Sequence, residues 1–327
     1  MKRSLILSAI VLLLISAFAL SNNTGTQITS AQSTPIVLAH RGLAQTFDVR
    51  DVKADTCTAT RLHPPAHGFL ENTLPSMRAA FDLGADVVEL DVHPTTDGRF
   101  AVFHDWTLDC RTDAKGVTRE QTLARLQALD IGYGYTADGG RTFPFRGKGI
   151  GLLPSLDDVL AAFPGKRLLV HIKSNDPAEG EMLARRLAEL PPEQRRPIGV
   201  YGGALPVDVL RQRLPELKTM HASGLKQCLL RYLAMGWSGY MPGACRNTIV
   251  LVPLNYAHWL WGWPHRFVER MTAAQSAVFV IGPWSGGEFS SGIDDLAQLH
   301  SLPKGFTGGI WTNRADRIIP ALKARTP

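Results

Sequence analysis

The sequence predicts an α/β fold, a closed (β/α)8 barrel of parallel strands. Three observations predict it: short uninterrupted Val/Ile/Leu runs recur along the chain, amphipathic helix-like stretches separate them, and the alternation repeats eight times. Strands without polar alternation are buried on both faces, which requires a parallel sheet under a layer of helices. The doubly wound open sheet is the rival arrangement, but its G-x-G-x-x-G fingerprint after the first strand is absent.

The N-terminal stretch stands apart from this rhythm. Lys2 and Arg3 precede an almost unbroken apolar run over residues 5–20, and Ala17-Phe18-Ala19 supplies the small-x-small pattern of a cleavage site. This predicts a signal peptide over residues 1–19, a flexible leader over 20–34 and one barrel domain over 35–327. An uncleaved anchor is the other reading, because the apolar run falls just short of the ~20 residues a spanning helix needs. Either way the folded part is exported, to a periplasmic or extracellular space.

Strands are predicted over residues 35–39, 87–91, 167–172, 197–201, 218–221, 249–253, 277–281 and 308–311. Helices are predicted over 74–83, 156–162, 179–190, 207–214, 225–235, 267–275, 293–299 and 315–323. Residues 101–103 are also strand-like, yet the turn-rich stretch before them is too short for a crossover helix. An antiparallel extension turning at Asp97-Gly98 is therefore expected. Residues 105–153 form a long insertion after His104, with one helical stretch over 119–129.

Composition bounds the function. A chain of 327 residues, 45% hydrophobic and 20% charged, has material for a large core, which excludes disorder and collagen-like repeats. The net charge of +6 falls to +4 without Lys2 and Arg3, and no basic run or zinc-finger signature occurs, so nucleic acid is not an expected partner. Cys57, Cys110, Cys228 and Cys245 lack C-x-x-C spacing, so an exported chain would use them as disulfides. Loop economy favours Cys57 with Cys110 and Cys228 with Cys245, although three pairings fit the sequence.

Residues two apart in a strand share a face, so Glu89 and Asp91 present two carboxylates together. Such a pair at the carboxyl end of a barrel strand calls for a cation between them, and a divalent ion is the economical choice. His171 and Lys173 repeat the spacing. His40-Arg41 closes the first strand, and His104 follows the short irregular one. Arg offers bidentate donors to a phosphate, while His exchanges a proton near neutral pH. Two histidines, a metal site and two cations describe displacement at a phosphodiester. Glycoside cleavage would need carboxyls on opposite sides of the bond, and no G-x-S-x-G marks an acyl transferase.

At these residues the chain resembles the glycerophosphodiester phosphodiesterases. The resemblance is carried by His40-Arg41-Gly42, Glu71-Asn72-Thr73, Gly84-Ala85-Asp86 leading into Glu89-Leu90-Asp91-Val92, Thr96-Asp97-Gly98, His104-Asp105, Pro154-Ser155-Leu156 and Ile172-Lys173. It is dense from His40 to Lys173 and looser around Trp284 and Gly309-Ile310-Trp311-Thr312-Asn313. The resemblance implies a metal-dependent TIM-barrel phosphodiesterase releasing glycerol 3-phosphate and an alcohol. His40 and His104 would be its acid and base, Arg41 and Lys173 its phosphate ligands, and Glu89 with Asp91 its metal ligands. Glu71 would orient Arg41 or touch the metal.

Two departures from the family pattern bear on function. His171 stands where the family has a third carboxylate, which would move metal preference from Mg²⁺ or Ca²⁺ toward Mn²⁺ or Zn²⁺. Residues 43–70 form a second insertion, after the first strand, carrying Cys57, His63 and His67 over the site. An aromatic cluster of Tyr256, Trp259, Trp261 and Trp263, with Trp284, reads equally as a substrate or membrane rim and as packing under a long loop. The rival functions are a phospholipase D-like or lysophospholipid-cleaving barrel enzyme and a barrel that binds phosphodiesters without cleaving them.

Overall fold

In a computed structural model, residues 2–24, 34–53, 56–286 and 291–324 are described. Among the described residues nine strands form one sheet: β1 (Ile36–Ala39), β2 (Val87–Pro94), β3 (Phe100–Val102), β4 (Arg167–Ile172), β5 (Gly199–Gly202), β6 (Lys218–His221), β7 (Ile249–Pro253), β8 (Ala277–Ile281) and β9 (Gly309–Thr312). The hydrogen-bonded order is β6-β5-β4-β2-β1-β9-β8-β7, parallel throughout, with β3 antiparallel on β2. The eight parallel strands are the eight expected. Between β6 and β7 no strand ladder forms among the described residues; the barrel closes there through the bridge Thr219 to Thr248, where the Thr248 hydroxyl donates to the Thr219 carbonyl at 2.7 Å, and through Asn247, which donates to the Pro215 and Leu217 carbonyls.

Strand parity splits the core. Val88, Leu90 and Val92 of β2 face outward with Leu168, Val170 and Ile172 of β4, packing against the helices. Val87 and Leu169 face inward and meet Leu38, Met220, Ile249, Phe279, Ile281 and Trp311 inside the barrel. A third cluster, including Leu62, Leu70, Phe103, Leu108, Leu126, Tyr135 and Phe145, lies under the two insertions. These insertions therefore have a core of their own rather than trailing over the surface.

Helices begin where polar side chains satisfy their first backbone amides. Thr73 with Ser76 caps Leu74–Leu83, and Ser155 with Asp158 caps Leu156–Ala162, each as a reciprocal box worth about 1 kcal/mol. The single helix expected over 119–129 is instead a 3-10 turn, Thr118–Glu120, followed by Leu123–Gln127. Thr122 accepts from the Arg125 amide and starts a new helix there, breaking the run.

The first helix runs Lys2–Asn23, past the expected end of the signal segment at 19. The start of the expected leader is thus helical, while residues 25–33 lie outside the described ones. Its end rests on the barrel flank: Arg270 donates to the Asn22 carbonyl at 2.9 Å and to Asn23 Oδ1 at 2.8 Å, and Phe18 meets the edge of Trp237. Two disulfides form, Cys57 with Cys110 and Cys228 with Cys245, the pairing of shortest loops.

Candidate active site

The site grows out of the turn after β1. Arg41 and Gly42 both have positive φ, 61° and 76°, so the chain reverses sharply as it leaves the strand. Gly42 is required there, because a Cβ would lie 2.8 Å from the Ser76 backbone. Arg41 holds a left-handed conformation uncommon outside glycine, a strain of the kind stored at working sites. The turn is tied down from below: the Arg41 amide donates to Glu89 Oε2 at 3.2 Å, and the Asn72 amide donates to the Arg41 carbonyl at 3.0 Å.

Parity and register then assemble the acidic group. Asp91 of β2 is the register partner of His171 in β4, which is the partner of Tyr201 in β5. Asp91 is not at the strand end as expected, because pairing with β3 carries β2 on to Pro94. Glu89, Asp91 and His171 offer ligand atoms within 4.8 Å of one another. Asp91 lies 2.8 Å from His171 Nδ1, accepts from Asn72 Nδ2 at 3.0 Å and pairs with Lys173 at 3.4 Å. Tyr201 donates its hydroxyl to Glu89 Oε1 at 2.7 Å.

Glu71 contacts Arg41. Arg41 Nη1 donates to its Oε1 at 2.8 Å, and its other oxygen lies 3.3 Å from Arg111. It stands apart from the Glu89, Asp91 and His171 group. Arg41 Nε lies 3.1 Å from Asp91 Oδ2 but makes no hydrogen bond, so one buried guanidinium donor is left unspent.

His40 and His104 face one cavity of about 350 Å³, together with Arg41, His171, Lys173 and Tyr201. Each imidazole is held by its Nδ1. His40 Nδ1 is 2.6 Å from Asn313 Oδ1, and Asn313 donates its Nδ2 to Asp294 at 2.8 Å. The amide is thereby oriented, so His40 carries its proton on Nδ1 and leaves Nε2 bare, 3.6 Å from Glu89 Oε2. His104 Nδ1 sits 2.6 Å from Asp105 Oδ1, which keeps a proton on that nitrogen. The remaining cavity wall is mixed: the first insertion supplies apolar Phe47 and Val52 with polar Lys53, Thr56 and Thr58, and Trp106, Leu251, Ile281 and Trp311 complete it.

Burial dominates the electrostatics. Together with the Arg41 guanidinium it pushes His40 down to about 3. Burial also takes His171 and His93 down to about 4 and lowers His104. Burial and the neighbouring Asp91 charge push Glu89 up to about 8. Burial acts on Asp91 in the same sense, but Lys173 and Arg41 outweigh it and hold Asp91 well below the usual carboxylate range. Two close buried carboxylates, one resisting ionisation, beside an imidazole form a donor set that suits a divalent cation.

The expected aromatic rim is not assembled at this cavity. Trp263 packs on Phe267 and Phe306 in the outer core, because the loop turns it inward under the helix His265–Ala273. Trp261 donates its indole N–H to the Leu233 carbonyl, and Trp259 stands 66% exposed. Trp284 meets Tyr256 and shares hydrogen bonds with Asn255. The indoles lining the cavity are Trp106 and Trp311. Sequence reasoning also missed Tyr201, Asn313, Asp105 and Arg111 as partners of the site. Tyr201 was accessible, since it lies in a recognised strand next in order to the one bearing His171.

Comparison with known proteins agrees with this geometry. Over 153 residues the chain is 32% identical to a glycerophosphodiester phosphodiesterase of Caldanaerobacter subterraneus, covering 45% of this chain and 59% of that protein. A Bacillus subtilis glycerophosphodiester phosphodiesterase is 34% identical over 122 residues, 36% of this chain and 40% of that one. The chain thus spans about three fifths or less of the length of these curated relatives. Among solved structures, the Agrobacterium tumefaciens glycerophosphodiester phosphodiesterase superposes with a TM-score of 0.55 at 22% identity, over 88% of this chain and 99% of that one. An Oleispira antarctica phosphodiesterase in complex with the product sn-glycerol-3-phosphate gives 0.53 at 18%, over 89% and 97%. These two likenesses speak to the barrel fold. A model described as the glycerophosphoryl diester phosphodiesterase family matches residues 40–187, and that matched segment carries both cavity histidines and the Glu89, Asp91 and His171 group.

Proposed function

We propose that the chain is an exported glycerophosphodiester phosphodiesterase that releases glycerol 3-phosphate and an alcohol. One observation carries the reading: two imidazoles, each with its Nδ1 tied back, share a cavity with Arg41 and Lys173. The Arg41 guanidinium and the Lys173 ammonium, both lining the cavity, suit the non-bridging oxygens of a phosphodiester. Glu89, Asp91 and His171 would hold a divalent cation, whose chemistry there is Lewis-acid stabilisation of charge on a phosphate oxygen.

The two histidines differ in their backing. His104 is supported by the Asp105 carboxylate, which stabilises an imidazolium, whereas His40 is supported by a neutral amide. His40 is therefore assigned as the base that takes the proton from the glycerol hydroxyl beside the phosphate. That oxygen attacks phosphorus, the bond to the alcohol oxygen breaks, and His104, entering the step as an imidazolium paired with Asp105, gives the leaving oxygen its Nε2 proton. Water then opens the cyclic phosphate with the two roles exchanged. The apolar wall of Phe47, Val52 and Trp106 would receive the alcohol.

Export is supported by the apolar helix Lys2–Asn23 and by two disulfides. The Arg270 contacts with its end favour a helix retained as an anchor, and exposed Leu230, Tyr240 and Trp259 are available for contact with a lipid surface. Assay of the purified protein on glycerophosphocholine and on lysophosphatidylcholine tests the activity. Release of glycerol 3-phosphate from the first supports the reading. Turnover of the lysolipid alone would replace it with the phospholipase alternative, and binding without turnover of either with the non-catalytic one.

A further inference from the structure

Arg111 contributed to none of the motifs, yet its guanidinium is committed to the groups that aim His104 and Arg41. It is 2% exposed, so these contacts are not diluted by water. Its Nε donates to Asp105 Oδ2 at 2.9 Å, and the other oxygen of that carboxylate holds His104 Nδ1. Its Nη1 lies 3.3 Å from Glu71 Oε2, and the other oxygen of Glu71 holds Arg41. The remaining donors go to the Tyr135 hydroxyl and, at 2.7 Å, to Thr58 Oγ1. His104, Asp105, Arg111, Glu71 and Arg41 thus form one unbroken relay, with Arg111 at its centre.

We infer that Arg111 is a positioning residue that sets the proton-transferring imidazole and the phosphate-holding guanidinium in register with each other. The inference rests on the phosphodiesterase reading for the roles of those two groups. Its physical basis is the fork of five guanidinium donors, which lets one side chain satisfy two carboxylates and two hydroxyls at once. A lysine ammonium has three donors on one atom and cannot span both carboxylates. Without Arg111, Asp105 keeps a single partner and is free to rotate with His104. Glu71 is equally free to close on Arg41 with both oxygens and draw it out of the cavity. The link runs across the two insertions, since Thr58 follows Cys57 and Arg111 follows Cys110.

The experiment compares the full-length chain with Arg111→Lys, Arg111→Ala, Asp105→Asn and Glu71→Gln. On glycerophosphocholine, Asp105→Asn is expected to lower kcat and Glu71→Gln to raise KM. Arg111→Lys is expected to do both, by about 10²-fold and about tenfold, because a misplaced group costs that order in rate. Adding Arg111→Lys to Asp105→Asn should then change KM alone. Millimolar guanidinium should restore activity to Arg111→Ala but not to Glu71→Gln. Two readouts need no turnover: the downfield proton resonance of His104 Nδ1–H should move in Arg111→Lys, and binding of inorganic phosphate should weaken. Wild-type kcat and KM, or additive effects in the double variant, would overturn the inference. If the wild-type chain turns over no glycerophosphodiester, the activity reading falls, and an unmoved resonance with unchanged phosphate binding would overturn the role of Arg111 by itself. Should Arg111→Ala not fold, Arg111→Lys carries every comparison except the rescue.

Discussion

The imidazole of His171 lies flat on the phenol of Tyr201, ring centres 4.1 Å apart and planes 13° from parallel, where the two residues are register partners across β4 and β5. Tyr201 also donates to Glu89, and His171 Nδ1 meets Asp91. One aromatic pair therefore orients two members of the acidic group directly and touches the third. Removing such an orienting partner typically weakens metal binding by about 10–100-fold. Tyr201→Leu should show that loss for Mn²⁺ in a calorimetric titration, and Tyr201→Phe, which keeps the stack, a smaller one. Equal affinity in all three proteins would mean that the stack does not orient the ligands.

The imidazole in that group makes a prediction about metal choice. Nitrogen in place of a carboxylate oxygen removes a negative charge and favours borderline-soft ions. EDTA-stripped protein should regain more activity with Mn²⁺ or Zn²⁺ than with Ca²⁺, and His171→Asp should shift the order toward Ca²⁺. Best recovery of the unaltered chain with Ca²⁺ would make His171 a bystander.

His40→Ala and His104→Ala should each lower kcat by about 10²–10⁴-fold, the usual worth of an acid or base. Both side chains border the cavity rather than the packed core, so melting temperatures should shift by only a few degrees. Wild-type turnover in both variants would remove the two-histidine mechanism.

The histidines also give a pH dependence of stability with a definite sign. Burial lowers His40, His93 and His171, so between about pH 4 and 6.5 the unfolded chain takes up protons that the folded chain refuses. Their contribution is complete above the unfolded value of about 6.5 and is lost as pH falls toward the folded values. Glu89, raised to about 8, acts in the opposite sense between about 4.5 and 8, and burial raises Glu179 and Asp294 in that same sense, while the lowered His67 and His104 add to the histidine side. Metal-free protein should melt at progressively lower temperature as pH drops from 6.5 to 4.5. A flat profile over that interval would mean that the imidazoles are not buried neutral.

The disulfides should separate stability from activity. Closing loops with sequence separations of 53 and 17 residues contributes about 4 and 3 kcal/mol in a chain-entropy account. Cys57→Ser with Cys110→Ser should lower both the melting temperature and kcat/KM, since that bridge joins the two insertions above the cavity. Cys228→Ser with Cys245→Ser should lower the melting temperature with little change in kcat/KM. Equal kinetic effects from the two pairs would argue that neither insertion shapes the site.

Much of this architecture was legible because parallel strands buried on both faces appear as bare apolar runs, and β4, β6, β7 and β8 fall on the expected residues. Glu89, Asp91, His171 and Lys173 were legible for a related reason, being polar groups on the inward parity of such runs. Asn72 lay inside a recognised motif, yet nothing local shows that it grips Asp91 with both ends of its amide. Arg111 and Asn313 depend on contacts across long sequence separations, which leave no periodic trace. Trp263 shows the converse limit: its residue type suits a wet rim and a packed interior alike, and only the path of the loop decides between them.

The weak stave between β6 and β7 has a consequence for how the molecule fails. Cys228 lies in the helix after β6 and Cys245 just before β7, so the second disulfide sutures the flank where the backbone ladder is thinnest. An oxidised chain is a hoop held shut by a covalent stitch. Reduced, it would part along Lys218–His221 and Ile249–Pro253 and become an open sheet with two bare margins, the shape that recruits neighbouring strands into aggregates. An oxidising environment would then be the condition for this barrel to stay a closed ring.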